Sequence, residues 1–179
     1  KIVADILSTI EREREREIIA RRYGLYDRRE TLEQIGELLN ITRERVRQLE
    51  KAVVSRLKTL ANKELPLIKS FEDAVIGHIS ETGNVSRVSD ISAKLTTANS
   101  KIDQSRVSFL AELSPGLSVI DDNDHFFHAI GVKVEHDEKK IKEGVASIVE
   151  EIKKFNKPVT SEMIKEAAGF ADHEAVTAL

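Results

Sequence analysis

Apolar residues in the first third of the chain recur at steps of three and four. Leu32, Ile35, Leu38 and Leu39 mark one helical face, and Val46, Leu49, Val53 and Leu57 mark a second. Between the two runs stand Asn40, a residue suited to the left-handed end of a short helix, and Ile41, an apolar plug for the turn. Thr31 with Gln34 forms a capping-box pattern ahead of the first run, and Thr42 is an N-cap for the second. Gly36 sits where a second helix can approach closely. The pattern predicts two helices joined by a tight turn.

Upstream, Lys1 to Leu7 reads as a short apolar-rich lead-in. Ser8 to Tyr23 reads as a helix, with a capping-box pattern at Ser8 and Glu11 and apolar anchors at Ile10, Ile18 and Ile19. Its alternating acids and bases from Glu11 to Glu17 read as an exposed face laced with ion pairs. Gly24 and Leu25 supply its C-terminal cap. Downstream, the second helix of the pair runs to about Leu60, and Pro66 marks the first boundary. A helix over 67–82 with Phe71, Val75 and Ile79 on one face follows, then an extended piece at 85–88. A short helix to Leu95 and a helix over 98–113 with Val107, Leu110 and Leu113 inside come next. Strands at 117–120 and 125–130 flank Asp121-Asp-Asn-Asp124 as a hairpin. Helix, strand, helix, helix and hairpin in that order predict a winged-helix domain. A helix over 139–155, a turn at Asn156-Lys-Pro158 and a helix capped by Thr160 or Ser161 repeat the start of that pattern. The expected fold class is mainly α, with a helix-turn-helix domain over 1–63, a winged helix over 64–134 and a partial second copy over 135–179.

The second helix of the pair carries the readable chemistry. Arg43, Glu44, Arg47 and Gln48 lie off its apolar stripe, in its first turns. Arginine pairs bidentately with guanine, glutamate accepts from cytosine and glutamine suits adenine. Thr42 and Arg45 stand where backbone phosphates would be met. A solvated charged face is the plain alternative for this run taken alone. The caps and the placement of the charges favour a recognition helix.

Three stretches then resemble region 4 of the sigma-70 family of bacterial RNA polymerase sigma factors: REREIIARRYGL at 14–25, TLEQIG at 31–36 and ITRERVRQLE at 41–50. The resemblance covers about residues 8–60. It implies reading of the −35 promoter element in double-stranded DNA, with bases met by Arg43, Glu44 and Gln48 and bases or phosphate met by Arg47. It implies DNA-backbone contacts from Arg14, Arg22, Thr31, Leu32, Thr42 and Arg45, and docking on the flap of the polymerase β subunit. One departure stands at Glu11, where the family carries an apolar residue; Ile10 substitutes after a small shift. More weakly, 64–134 resembles the HARE-type winged helix of the polymerase delta subunit.

Charge divides the chain the same way. Residues 1–63 hold 15 Lys and Arg against 11 Asp and Glu, while 64–179 hold 13 against 20. A DNA binder's cationic footprint is thus confined to the first third. The expected third helix of the winged helix offers only Lys101 and Arg106, and its hairpin tip is acidic, which favours a protein partner there over DNA. Aromatics are only 4%, which suits small helical modules over one large core. With no cysteine, disulfides and thiolate metal sites are excluded. His125 and His128 read as wing residues rather than metal ligands, and Asp121, Asp122 and Asp124 as a solvated turn. No catalytic or cofactor motif is visible, so a non-enzymatic transcription protein without cofactors or metals is expected. No apolar run approaches the ~18 residues of a membrane span, and no secretory signal is seen, which points to the cytoplasm. Lys1 at the start and a helical pattern at the end read as a fragment of a longer protein. Two further readings stay open: an interaction module that has lost DNA reading, and the specificity module of a DNA-processing enzyme.

Overall fold

The computed structural model describes residues 2–64, 66–80, 85–121 and 127–132, with 146–147, 149–150, 152–155, 158, 160 and 163 as short pieces beyond them. The chain is mainly helical. Its elements are α1 (Ile2–Ser8), α2 (Glu13–Arg22), α3 (Leu32–Leu39), α4 (Arg43–Glu64), α5 (Pro66–Ile79), β1 (Val85–Arg87), α6 (Val88–Leu95), α7 (Lys101–Leu113), β2 (Leu117–Ile120) and β3 (Ala129–Val132). They form two compact units. One comprises Lys1–Phe71 with Ser92–Pro115, the other Glu72–Ile91 with Gly116–Leu179. This grouping is one of compactness, and it puts α7 with the helix-turn-helix although a boundary near residue 63 was expected along the chain.

In the first unit, Ile18 of α2, Ile35 of α3 and Val46 of α4 form a buried cluster. Leu32, Leu39, Ile41 and Leu49 pack half-buried against it. The expected stripe on α4 holds, with Val53 and Leu57 buried further along. Leu38 departs from the expected apolar face and is 54% exposed. Three-residue and four-residue steps allow a wider stripe than an eight-residue helix needs for one contact face.

The N-terminal helix differs from the one expected. Ser8 ends α1, donating its hydroxyl to the Asp5 carbonyl, and caps nothing downstream. The Thr9 and Ile10 amides bond back to the Ile6 and Leu7 carbonyls, and Ile10 is fully buried. Only after this break, with Arg12 extended (φ −83°, ψ 117°), does α2 begin. Arg16 donates to the Ile10 carbonyl at 2.9 Å through Nη2, so a side chain satisfies the group that the break leaves open. Ile10 is buried where Glu11 beside it is exposed. At the other end, Gly24 (φ 63°) and Leu25 close α2. The Leu25 amide donates to the Ala20 carbonyl at 2.9 Å and the Gly24 amide to the Arg21 carbonyl at 3.2 Å.

The helix α4 runs past the expected end at Leu60, and Pro66 opens α5, where its missing N–H is no loss. In α5, Phe71, Val75 and Ile79 are buried as expected. Ser100 and Asp103 form a capping box that starts α7 later than expected. Val107, Leu110 and Leu113 are buried, and so are Phe109 and Ala111.

The second unit contains an antiparallel sheet in the order β1-β3-β2. Ile120 pairs with Ala129 and Leu117 with Val132, while Val85 pairs with Gly131 on the other side of β3. Val85, Ile120 and Ala129 share one buried cluster. The last strand starts at Ala129 rather than near 125. Phe127 before it is exposed and lies 3.9 Å from the Arg87 guanidinium instead of joining the ladder. Glu72, buried, accepts the Gly116 amide at 2.7 Å. The acidic hairpin tip at 122–124, His125, and most of the expected second copy over 135–179 lie outside the described residues. Within that copy, 146–147, 149–150 and 152–155 are helical. The Met163 amide donates to Thr160 Oγ1 at 3.4 Å, as the expected cap would. Among the described residues no helix is long and apolar enough to cross a membrane.

Candidate nucleic-acid interface

Local chemistry builds the turn that presents α4. Gln34 N donates to Thr31 Oγ1 at 3.2 Å, and Thr31 N donates to Gln34 Oε1 at 2.9 Å, completing the expected capping box of α3. Asn40 takes the left-handed conformation (φ 53°, ψ 51°), and Ile41 N donates back to the Gly36 carbonyl at 2.9 Å. A Cβ on Gly36 would stand 2.7 Å from the Ile41 carbonyl oxygen. Gly36 is therefore required first by the turn's own backbone, and the start of the second helix also lies close, with Arg43 N 3.5 Å from that Cβ. Thr42 Oγ1 accepts the Arg45 amide at 3.2 Å and starts α4.

The four side chains expected to read bases share the exposed first turns of α4. Arg47 holds Glu44 with two hydrogen bonds, Nε to Oε2 at 2.8 Å and Nη2 to Oε1 at 2.7 Å. Gln48 donates to Glu44 Oε1 at 3.3 Å, and Arg45 donates to Gln48 Oε1 at 3.4 Å. The Arg47 fork, helped by Gln48, holds the Glu44 carboxyl down at about 2, against an ordinary 4.5. Glu44 pushes the Arg47 guanidinium up in return. Arg43 pairs with Glu33 of α3 at 2.8 Å, across the turn, with both side chains more than half exposed. Sequence reading missed Glu33, although its place in the first turn of α3 puts it at the same end of the motif as Arg43. Exposed pairs of this kind are held weakly, so bases and phosphates can replace them.

The residues expected at the DNA backbone separate into two groups. Arg14 is exposed and donates to the Leu39 carbonyl, where it neutralises the C-terminal end of α3 beside the turn. Arg45 is exposed next to Glu44. Thr31 and Thr42 have their hydroxyl oxygens engaged by backbone amides, so each leaves its O–H proton for an outside acceptor. Leu32 packs on the Ile18–Ile35–Val46 cluster and offers outward only its backbone at the start of α3. Arg22 points inward: it is 25% exposed, donates to the Glu30 carbonyl at 3.4 Å and lies 3.3 Å from Glu50 of α4. Its Nε is buried without a hydrogen bond.

The alternating charges on α2 do more than solvate a face. Glu15 is only 6% exposed and joins α2 to α4, accepting from Arg56 at 2.6 Å and from Arg12 at 3.2 Å. These bonds, the one from Arg56 foremost, hold its carboxyl below the usual range against the opposing effect of burial. Arg21 pairs with Glu17, at the end of that alternating run, and with Glu30 beyond it.

Residues 12–59 match the family model for sigma-70, region 4. This stretch includes the capped turn and all four proposed base readers, and leaves α7 and the sheet outside it. Among curated proteins, the chain is 50% identical over 54 residues to RNA polymerase sigma factor SigA1 of Synechococcus elongatus, covering 30% of this chain and 13% of that protein. It is 49% identical over 49 residues to RNA polymerase sigma factor RpoD of Helicobacter pylori, covering 26% and 7%. It is 48% identical over 52 residues to RNA polymerase principal sigma factor HrdC of Streptomyces coelicolor, covering 28% and 15%. The chain thus spans less than a fifth of the length of these relatives. No solved structure matches.

Proposed function

We propose that this protein acts in transcription initiation, binding a −35-type promoter element through α4 and contacting RNA polymerase through the same helix-turn-helix domain. The carrying observation is the cluster of Arg43, Glu44, Arg47 and Gln48 on the exposed first turns of α4, inside a segment similar to sigma-70 region 4. The N-terminal turns of a recognition helix are the part that enters a major groove. There the two arginines are offered to guanine, Glu44 to cytosine N4 and Gln48 to adenine. Arg14, Arg45, Thr31, Thr42 and the α3 backbone at Leu32 flank that surface and would set the register on phosphates. Arg22, tied to Glu30 and close to Glu50, supports α4 from behind in this reading. Residues 64–134 would form a HARE-type winged helix. The order α5-β1-α6-α7-β2-β3 and the sheet order β1-β3-β2 support that reading.

The test is binding of the chain to two duplexes, one with a −35-like element and one scrambled, at two salt concentrations. Promoter reading requires tighter binding to the first at both salts, with affinity falling as salt rises. Equal, weak binding to both duplexes overturns it.

A further inference from the structure

α7 belongs to the acidic part of the chain and lies outside the region-4 match, yet its side chains are spent on the helix-turn-helix unit. Phe109, fully buried, meets the Tyr23 ring with centroids 4.9 Å apart and planes tilted by 59°. Arg106 Nε donates to the Leu25 carbonyl at 2.8 Å, at the point where α2 ends, and its guanidinium lies 5.7 Å from the Tyr26 ring. Near the end of α7, Glu112 accepts from Lys58 of α4 at 2.5 Å. Beside this pair runs an open groove of about 520 Å³ lined by Arg47, Lys51 and Lys58 of α4 together with Tyr23 and Glu112. An aromatic contact, a charge-assisted hydrogen bond to a carbonyl and an ion pair thus act at three separate points along one helix face.

We infer that the binding partner of α7 is the α2–α4 flank of its own chain. Docked there, α7 is not a second DNA-reading helix but a strut that fixes α4 against the end of α2. Arg106, one of the only two cations that α7 carries, gives its Nε to the Leu25 carbonyl and lies 3.9 Å from Asp103, which ties its charge to its own chain although its side chain stays 38% exposed. Glu112 is paired with Lys58 of α4, so its charge is compensated within the chain. The docking stands without promoter reading; only the denial of a DNA role for α7 rests on that reading.

The experiment uses the whole chain with Tyr26→Phe, which leaves Tyr23 as the sole ultraviolet reporter, since the chain has two tyrosines and no tryptophan. Alkaline titration of tyrosinate absorbance should show the Tyr23 phenol resisting ionisation, because burial pushes it up. Arg106→Ala and Phe109→Leu should each bring its midpoint down while circular dichroism stays helical. Lys58→Glu should speed amide exchange across 105–113 severalfold, and the swap Lys58→Glu with Glu112→Lys should restore protection. Tyr23 ionising near the ordinary ~10 in the otherwise unaltered, still helical chain overturns the docking. So does an Arg106→Ala chain with an unmoved midpoint, or a swap that restores nothing. Lys101→Ala tests the DNA clause separately: the salt slope of duplex binding should not change, and a slope smaller by about one would make α7 a DNA contact. These optical and exchange readings need no DNA, so failure of promoter reading leaves them interpretable.

Discussion

Arg47 grips Glu44 with two parallel hydrogen bonds, at 2.7 and 2.8 Å, one turn apart on the exposed start of α4. Neither group faces a core, so the pairing shapes the exposed surface of α4 rather than the fold. It holds the Glu44 carboxyl at about 2. A depressed carboxyl keeps its partner above that value and loses it as pH falls through it. Carboxyl titration by NMR should therefore place Glu44 far below 4.5, and Arg47→Ala should move it upward. Glu44 then stays ionised throughout pH 5–8, and pH dependence of DNA binding in that window must come from another group. A Glu44 midpoint near 4.5 in both proteins would remove the grip from solution.

On the proposed reading of α4, Arg43→Ala, Glu44→Ala and Arg47→Ala should each weaken the −35-like duplex roughly 5- to 100-fold, the discrimination of one good base contact. Each should relax preference at one base position. Arg45→Ala should weaken all duplexes alike and reduce the salt slope by about one. Titration of each variant against single-base-substituted duplexes separates the two classes. Uniform losses from all four changes would turn the surface into a phosphate contact only.

The turn itself should resist alteration. Gly36→Ala puts a methyl 2.7 Å from the Ile41 carbonyl oxygen, an atom that can move only with the backbone. Overpacking of this kind costs about 1–3 kcal/mol, to be read in thermal or urea unfolding. Asn40→Ala should cost about 1 kcal/mol through its left-handed φ, while Asn40→Gly should be close to neutral. Thr31→Ala and Thr42→Ala should each cost about 1 kcal/mol by removing an N-cap. A Gly36→Ala chain as stable as its parent would mean that the turn opens without loss.

What the sequence made legible is what is decided within a few residues. The Thr31 and Thr42 caps, the Gly24 and Asn40 turns and the Arg43–Gln48 cluster all depend on neighbours three to five positions away. The break after Ser8 was not legible, because Ser8 and Glu11 fit a capping pattern while the deciding event is burial of Ile10. Leu38 keeps helical spacing yet stays exposed, since spacing names a face and not what covers it. Glu15 looked like one more surface acid; its burial depends on Arg56, 41 positions away. The seat of α7 was hidden for the same reason, with Arg106 and Leu25 separated by 81 positions.

Glu15 also gives the sharpest stability test. It is buried between α2 and α4 with Arg56 as its main partner, and burial alone would raise its carboxyl. Arg56→Ala leaves a buried acid with only Arg12 nearby, so its folded value should rise. The contribution of Glu15 is fully present above its unfolded value and is lost as pH falls through the depressed folded one. Acid unfolding of Arg56→Ala should thus begin at higher pH than that of the parent. At neutral pH, Glu15→Gln should cost about 1.5 kcal/mol, the low end for a hydrogen bond to a charged group, because Arg56 is half exposed and partly screened. Combining Glu15→Gln with Arg56→Ala should cost less than the sum of the two single changes, as expected for residues that share one contact. Additive costs in that double-mutant cycle would show that the Glu15–Arg56 bond contributes nothing to holding α4 on α2.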